Sequence, residues 1–342
     1  MTDQSRTPTE RTRKILTEIS ATSWEHPADR AALQALRAVP GFNEAVKKIV
    51  GFFGERGIRL LFQANAVRVG PKQFPKLHTL MTEVTVTMDW PDQPPLFVSQ
   101  TPIVNASAVG VEHPFIVVNS AMLRLLDEDE MRVLLGHELG HVMSGHALYR
   151  TVTLLILWLG FQNLPFLAGL ALLPIKLALL EWYRKSELSS DRAGLLASQE
   201  RTASMRLFLR LAGGIEAHHP VPLGEDWDLD SYMEQAREYH AMGGPLDNIY
   251  KIVNMLGLTH PFHTLRAAEL QQWIDDGTYE RMLGGEYTRR GTEEESRSYK
   301  DDFSEAARHY ASGAKETVSQ VTDAARRAAQ AFTDAFKDKK DE

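Results

Sequence analysis

Residues 136–141 read Gly-His-Glu-Leu-Gly-His, and this stretch constrains the chain more than any other. His137 and His141 are four residues apart, so on a helix they share one face, one turn apart. Two imidazoles in that relation can bind a single metal ion. Glu138, beside the first histidine, then reaches a metal-activated water and can take its proton as it attacks a carbonyl. Met131, Val133, Leu134 and Leu135 lead into the motif. Asp127 and Glu130 have capping-box spacing, which predicts a helix starting there and carrying the motif.

The 342 residues include no cysteine. That excludes a disulfide framework, a thiolate zinc finger and a cysteine nucleophile, and leaves His, Asp and Glu as metal ligands. A net charge of −7 argues against a general nucleic-acid binder, and 43% hydrophobic with 24% charged residues is ordinary globular usage. No apolar run follows the polar N-terminus at signal-peptide distance, so a cytoplasmic protein is expected.

Around the motif the sequence predicts a mainly α chain of α+β class. A polar, flexible arm is expected over 1–24 and a helical region over 25–90. Within it, helices are predicted from a cap at Asp29 to about 39, over 43–55 and over 75–88, each with an apolar stripe suited to core packing. The segment 91–285 forms the main domain, with short strands at 95–100 and 115–119 and helices broken at 213–214, 243–245 and 284–285. Its apolar stretch 152–180 carries Lys176 as its one charge and is interrupted by Pro165 and Pro174, with a polar helix expected from Glu181. About 29 residues suffice for one membrane crossing, but a crossing would separate His137 and His141 from any ligand beyond it. Two crossings need roughly 40 residues. A helical hairpin is therefore predicted, packing on the domain or dipping into one leaflet. The segment 286–342, charged and alanine-rich, is read as a helical or disordered tail.

A catalytic metal site needs a third protein ligand. Glu187 and Asp191 follow the apolar stretch at i, i+4, a spacing that suits one carboxylate on the metal and one behind it, holding a ligating histidine; such runs are also ordinary solvated helix faces. His146, five residues past His141, falls off the ligand face and reads as a surface or supporting histidine. His218 and His219 read as solvent-exposed, and His263 as structural.

At this point the sequence resembles the HtpX-like and CaaX-prenyl-endopeptidase-like family of zinc metallopeptidases. The resemblance rests on Gly136 to His141, then Glu187 with Asp191 four residues on. It also rests on Asn105-Ala106-Ser107-Ala108, with Ser107 where the family has an aromatic residue, on the strand at 115–118 leading into 123–130, and on Thr259-His260-Pro261 with Arg266. It spans roughly 95–270 and implies a helical zincin-type domain with a small sheet beside the cleft. It further implies one zinc ion per subunit held by His137, His141 and Glu187, with Asp191 behind them. Glu138 is the implied general base, and His260 and Arg266 assist at the oxyanion. The segment from Val98 through Asn105, Ala106, Ser107 and Ala108 is the implied edge strand for substrate.

The function expected is that of a zinc metalloendopeptidase acting on polypeptides, in protein quality control near the cytoplasmic face of a membrane that it contacts peripherally through 152–180. A non-proteolytic, zinc-binding polypeptide scaffold is the alternative from another class, and a zinc deacylase is a weaker one. Glu138 argues against the scaffold, since a site without hydrolysis has no need of a base.

Overall fold

The computed structural model of the protein describes residues 13–39, 41–159, 166–214, 216, 228–242 and 262–291. The fold is mainly helical with one four-stranded sheet. The motif lies on the helix spanning Glu128–Met143. Its start is the predicted capping box: Asp127 accepts from the Glu130 N–H at 2.9 Å, and Glu130 accepts from the Asp127 N–H at 3.0 Å. Arg206 and Arg210 also hold the buried Glu130 carboxylate, at 3.0 and 2.6 Å. From Met131 to His141 every side chain is buried. The apolar pattern has no stripe because neighbours cover the helix on all sides.

In chain order the elements are α1 (Pro27–Arg37), α2 (Phe42–Gln63), β1 (Ala66–Arg68), α3 (Pro75–Thr87), β2 (Leu96–Ser99), β3 (Ala106–Val109), β4 (Phe115–Asn119), α4 (Ser120–Leu125), α5 (Glu128–Met143), α6 (Ala147–Leu159), α7 (Phe166–Ser198), α8 (Arg201–Gly213), α9 (Leu229–Ala241), α10 (His263–Asp275) and α11 (Thr278–Leu283). Among the described residues, helices α5 and α7 form the largest packing contact. Three glycines let them close. A Cβ on Gly136 would stand 2.5 Å from the Ala197 Cβ, one on Gly140 would overlap Ala193, and one on Gly194 would meet the Val133 carbonyl oxygen at 2.9 Å. Helix spacing follows side-chain size at the contact, so these positions bring the axes close.

The sheet order is β1-β2-β4-β3, antiparallel at both outer pairs and parallel between β2 and β4. Leu96, Val98, Ala106, Ala108, Ile116 and Val118 join the main core. Phe97, Val109, Phe115 and Val117 pack on the other face with Ile58 of α2 and Leu155 of α6. Both faces are covered, so the strands read as apolar runs rather than alternating ones. The predicted edge strand divides here. Ala106, Ser107 and Ala108 lie on the edge strand β3, whereas Val98 sits on β2, paired on both sides.

Further expectations change. The flexible arm does not extend to residue 24: Leu16, Ile19 and Trp24 are buried, the Leu16 N–H donates to the Thr87 carbonyl, and the Ser20 N–H donates to the Thr288 carbonyl. That last bond, with one from the Arg290 N–H to the Glu18 carbonyl, makes 286–291 part of the body; residues 292–342 lie outside the described residues. Helix α1 begins at Pro27 behind an N-cap at His26, leaving Asp29 inside the first turn and buried. Finally, α2 continues to Gln63 across a non-helical Gly54. The apolar stretch becomes the second half of α6 and the first half of α7, which pack on each other. Helix α7 continues through residue 174 and includes the polar segment expected as a separate helix. Among the described residues no helix is long and apolar enough to cross a membrane.

Candidate metal centre

Helix α5 presents His137 and His141 toward Glu187 on α7. The Nε2 atoms of the two histidines are 3.2 Å apart; Glu187 places one oxygen 3.4 Å from His137 Nε2 and the other 3.3 Å from His141 Nε2. A tetrahedral ion with bonds of about 2.0–2.1 Å keeps its ligand atoms about 3.3 Å apart. The triangle and its two-imidazole, one-carboxylate donor set thus fit a zinc-sized ion. Among the described residues this trio is the group of His, Asp or Glu side chains arranged to hold a metal.

Each ligand has support behind it. Asp191 lies one turn beyond Glu187, its Oδ1 3.0 Å from His137 Nδ1. Arg266 of α10 grips Asp191 with two bonds, Nε to Oδ2 at 2.8 Å and Nη2 to Oδ1 at 2.6 Å. Burial disfavours the Asp191 anion, but Arg266 and His137 outweigh it and hold the carboxyl below its ordinary range. Burial likewise opposes charge on His137, yet hydrogen bonds to Asp191 and Glu187 raise it to about 9. His141 goes the other way, pushed well down by burial and the Arg150 cation.

Glu138 is buried beside the ligands. Burial raises its pKa, with Arg150 and His137 opposing, and the Ala108 N–H donates to its carboxylate. Its Oε2 has no hydrogen-bond partner. It lines a cavity of about 190 Å³ together with His137, Glu187, Asn105 and Ala106. Just ahead of β3 the Asn105 carbonyl accepts from the Asn119 N–H at 3.0 Å. Antiparallel alternation then turns the Ala106 and Ala108 backbone groups away from β4.

Sequence reasoning gathered His137, Glu138, His141, Glu187 and Asp191, and the fold brings all five together. Arg266 arrives as well, bound to Asp191 rather than standing free for an oxyanion. His260, His218 and His219 lie outside the described residues. His263 lines the cavity. His146 is buried against His141. Arg150 escaped notice entirely. It is fully buried on α6, hydrogen-bonded to Glu187, 2.8 Å from His141 Nε2 and stacked on the Tyr183 ring at 4.1 Å. One lone pair on His141 Nε2 cannot serve both, so metal binding requires the guanidinium to withdraw from that nitrogen. The available signal was a lone arginine immediately ahead of an apolar run.

Fold and site together define a helical metallohydrolase, and comparison with known proteins narrows this. Residues 71–274 match Peptidase family M48, and the chain belongs to that family. It is 31% identical over 272 residues to the plastoglobule-localized metallopeptidase 48, chloroplastic, of Arabidopsis thaliana, covering 79% of this chain and 77% of that one. It is 26% identical over 242 residues to a protease HtpX homolog of Burkholderia cenocepacia, covering 63% of this chain and 80% of that one. No solved structure matches. The activity at this level is that of a metallopeptidase.

Proposed function

We propose that the chain is a zinc-dependent endopeptidase whose ligands are His137, His141 and Glu187 and whose general base is Glu138. The observation that carries this reading is the Glu138 carboxylate, with one oxygen unpartnered, on the wall of the cavity formed by a ligand triangle of tetrahedral spacing. Zinc in such a site supplies Lewis-acid activation of a water and of the scissile carbonyl. Glu138 takes the proton from the attacking water and delivers it to the leaving amine, and burial that raises its pKa suits both halves of that transfer. Asp191, oriented by Arg266, fixes the His137 ring and keeps its Nε2 lone pair toward the ligand site. The outward backbone groups of Ala106 and the Ala108 carbonyl suit an extended polypeptide added to the β3 edge, which favours unfolded substrates over a fixed side-chain sequence. An oxyanion donor is assigned to His260.

The peptidase unit comprises 91–285, supported by 25–90. Attachment to a membrane surface is peripheral, through 152–180; the Arabidopsis relative is named as plastoglobule-localized.

The test is hydrolysis of unfolded casein by the purified chain, with and without a chelator. Cleavage that stops on chelation and returns with zinc is expected. Cleavage that survives chelation and metal analysis showing no zinc would overturn the reading.

A further inference from the structure

His146 follows His141 by five residues, which on a continuing helix would carry it off the ligand face. The chain turns back instead. Helix α5 ends at Met143, Gly145 takes a left-handed φ of 68°, and the His146 N–H donates to the His141 carbonyl at 2.9 Å. That turn sets His146 Nδ1 3.0 Å from His141 Nδ1. On its other side, His146 Nε2 lies 3.2 Å from Oδ2 of Asp29, which also accepts from Ser189 Oγ at 2.6 Å. Asp29 comes from α1, outside the matched segment 71–274. Asp29, His146 and His141 are 2%, 3% and 0% exposed, so water does not substitute for any link.

With both rings neutral, the chain of bonds admits one proton order. The Asp29 carboxylate only accepts, so His146 carries its proton on Nε2 and accepts on Nδ1. His141 must then donate from Nδ1, which leaves the lone pair of its Nε2 for the ligand triangle. The second contact on His141 Nδ1, Ser190 Oγ at 2.9 Å, is compatible with the same order, because a hydroxyl can accept. Trp182 packs edge-on against His146 with ring centres 5.5 Å apart and restricts its rotation.

We infer that Asp29 and His146 are positioning residues of the metal centre: a carboxylate–imidazole–imidazole relay runs from the N-terminal helix to His141 and fixes its tautomer and ring orientation. The N-terminal region, which the family segment leaves out, thereby completes the site. The relay rests on the proposed metal-ligand role of His141.

The test uses the full-length chain and reads zinc affinity by competition with a chromophoric chelator, together with the visible spectrum of the cobalt-loaded protein. His146→Leu fills the space but cannot relay, and is expected to weaken zinc binding about 10–100-fold, the range for losing such an outer partner. His146→Gln can still accept from His141 and donate to Asp29, so it should recover most of that loss. Asp29→Asn, nearly isosteric and therefore expected to fold, should weaken binding less than His146→Leu and shift the cobalt spectrum. A pure packing role predicts the reverse order, with His146→Leu equal to or better than His146→Gln. Zinc affinities within twofold of the parent chain in all three variants overturn the relay alone. A parent chain that holds no zinc overturns the metal-centre reading and the relay with it.

Discussion

His137 and His141 face the same ligand position but are held by opposite means. His137 has a charged partner in direct contact, Asp191, itself clamped by the two-pronged Arg266. His141 Nδ1 meets His146 and Ser190 first, and reaches a carboxylate only one residue further out at Asp29. The first support comes from within the matched segment and ties α5 to α7 and α10; the second reaches α1, outside it. A direct carboxylate raises the basicity of its imidazole but demands that a second charge be buried with it. The relay also buries a carboxylate, Asp29, but sets it one residue further from the ligand and depends on correct hydrogen-bond order over a longer path. The metal site is thus braced electrostatically from one side and by hydrogen-bond geometry from the other.

The largest effect should come from the residue that belongs to neither brace. Glu138→Gln keeps the shape and leaves both supports intact, so zinc content should match the parent chain while casein hydrolysis falls by about 10³-fold or more, the scale for losing a general base. Turnover near the parental rate would mean that the base lies elsewhere. Removing the electrostatic brace comes next. Arg266→Ala leaves Asp191 buried beside Glu187 without its cation, and breaking a buried pair in this way costs about 3–5 kcal/mol. A urea-unfolding shift below about 1 kcal/mol would show that Asp191 is solvated and the brace unimportant. A smaller loss is expected where the two braces share a wall. Gly140→Ala forces a Cβ into Ala193, and overpacking of this kind costs about 1–3 kcal/mol. Separating α5 from α7 should also weaken zinc binding through His141, which a chelator titration would read.

The legibility of the site follows the same division. His137, Glu138 and His141 were readable because helical periodicity alone puts the histidines together, and Glu187 with Asp191 because a second i, i+4 pair followed in the right order. Arg266 was found, but its role was not, since sequence does not reveal that Asp191 claims the Nε and Nη2 donors of its guanidinium. The relay was invisible: His146 reaches His141 through a left-handed glycine that breaks helical periodicity, and Asp29 lies more than a hundred residues upstream, where its type and place suggested an ordinary helix cap. Helix α5 and the two inner strands were legible from capping and apolar runs. The length of α7 was not, because Pro174 and the change from apolar to polar composition read as boundaries, while packing along α5 and α6 carries one helix through both.

The smallest effect separates the braces by acid. Burial opposes ionisation of both Asp191 and Asp29, yet each is held below the ordinary value of 3.8: Asp191 by Arg266 and then His137, Asp29 by His146 and then Ser189. In the unfolded chain these carboxyls take up protons near 3.8, whereas the folded chain still keeps them ionised. The unfolded state then binds more protons, so stability is fully present above that value and declines as pH falls through the lower, folded values. The metal-free protein should therefore show a urea midpoint that rises with pH between about 3 and 5. Asp191→Asn and Asp29→Asn should each flatten that rise, because each removes a group whose proton uptake contributes to it. Flattening by Asp191→Asn should be the larger, since its bidentate guanidinium partner stays charged at every pH in the window and holds the carboxylate directly. An unchanged slope in Asp29→Asn would place that side chain in contact with water and leave His141 braced by Ser190 alone; equal flattening by both would erase the contrast between a charged brace and a relayed one.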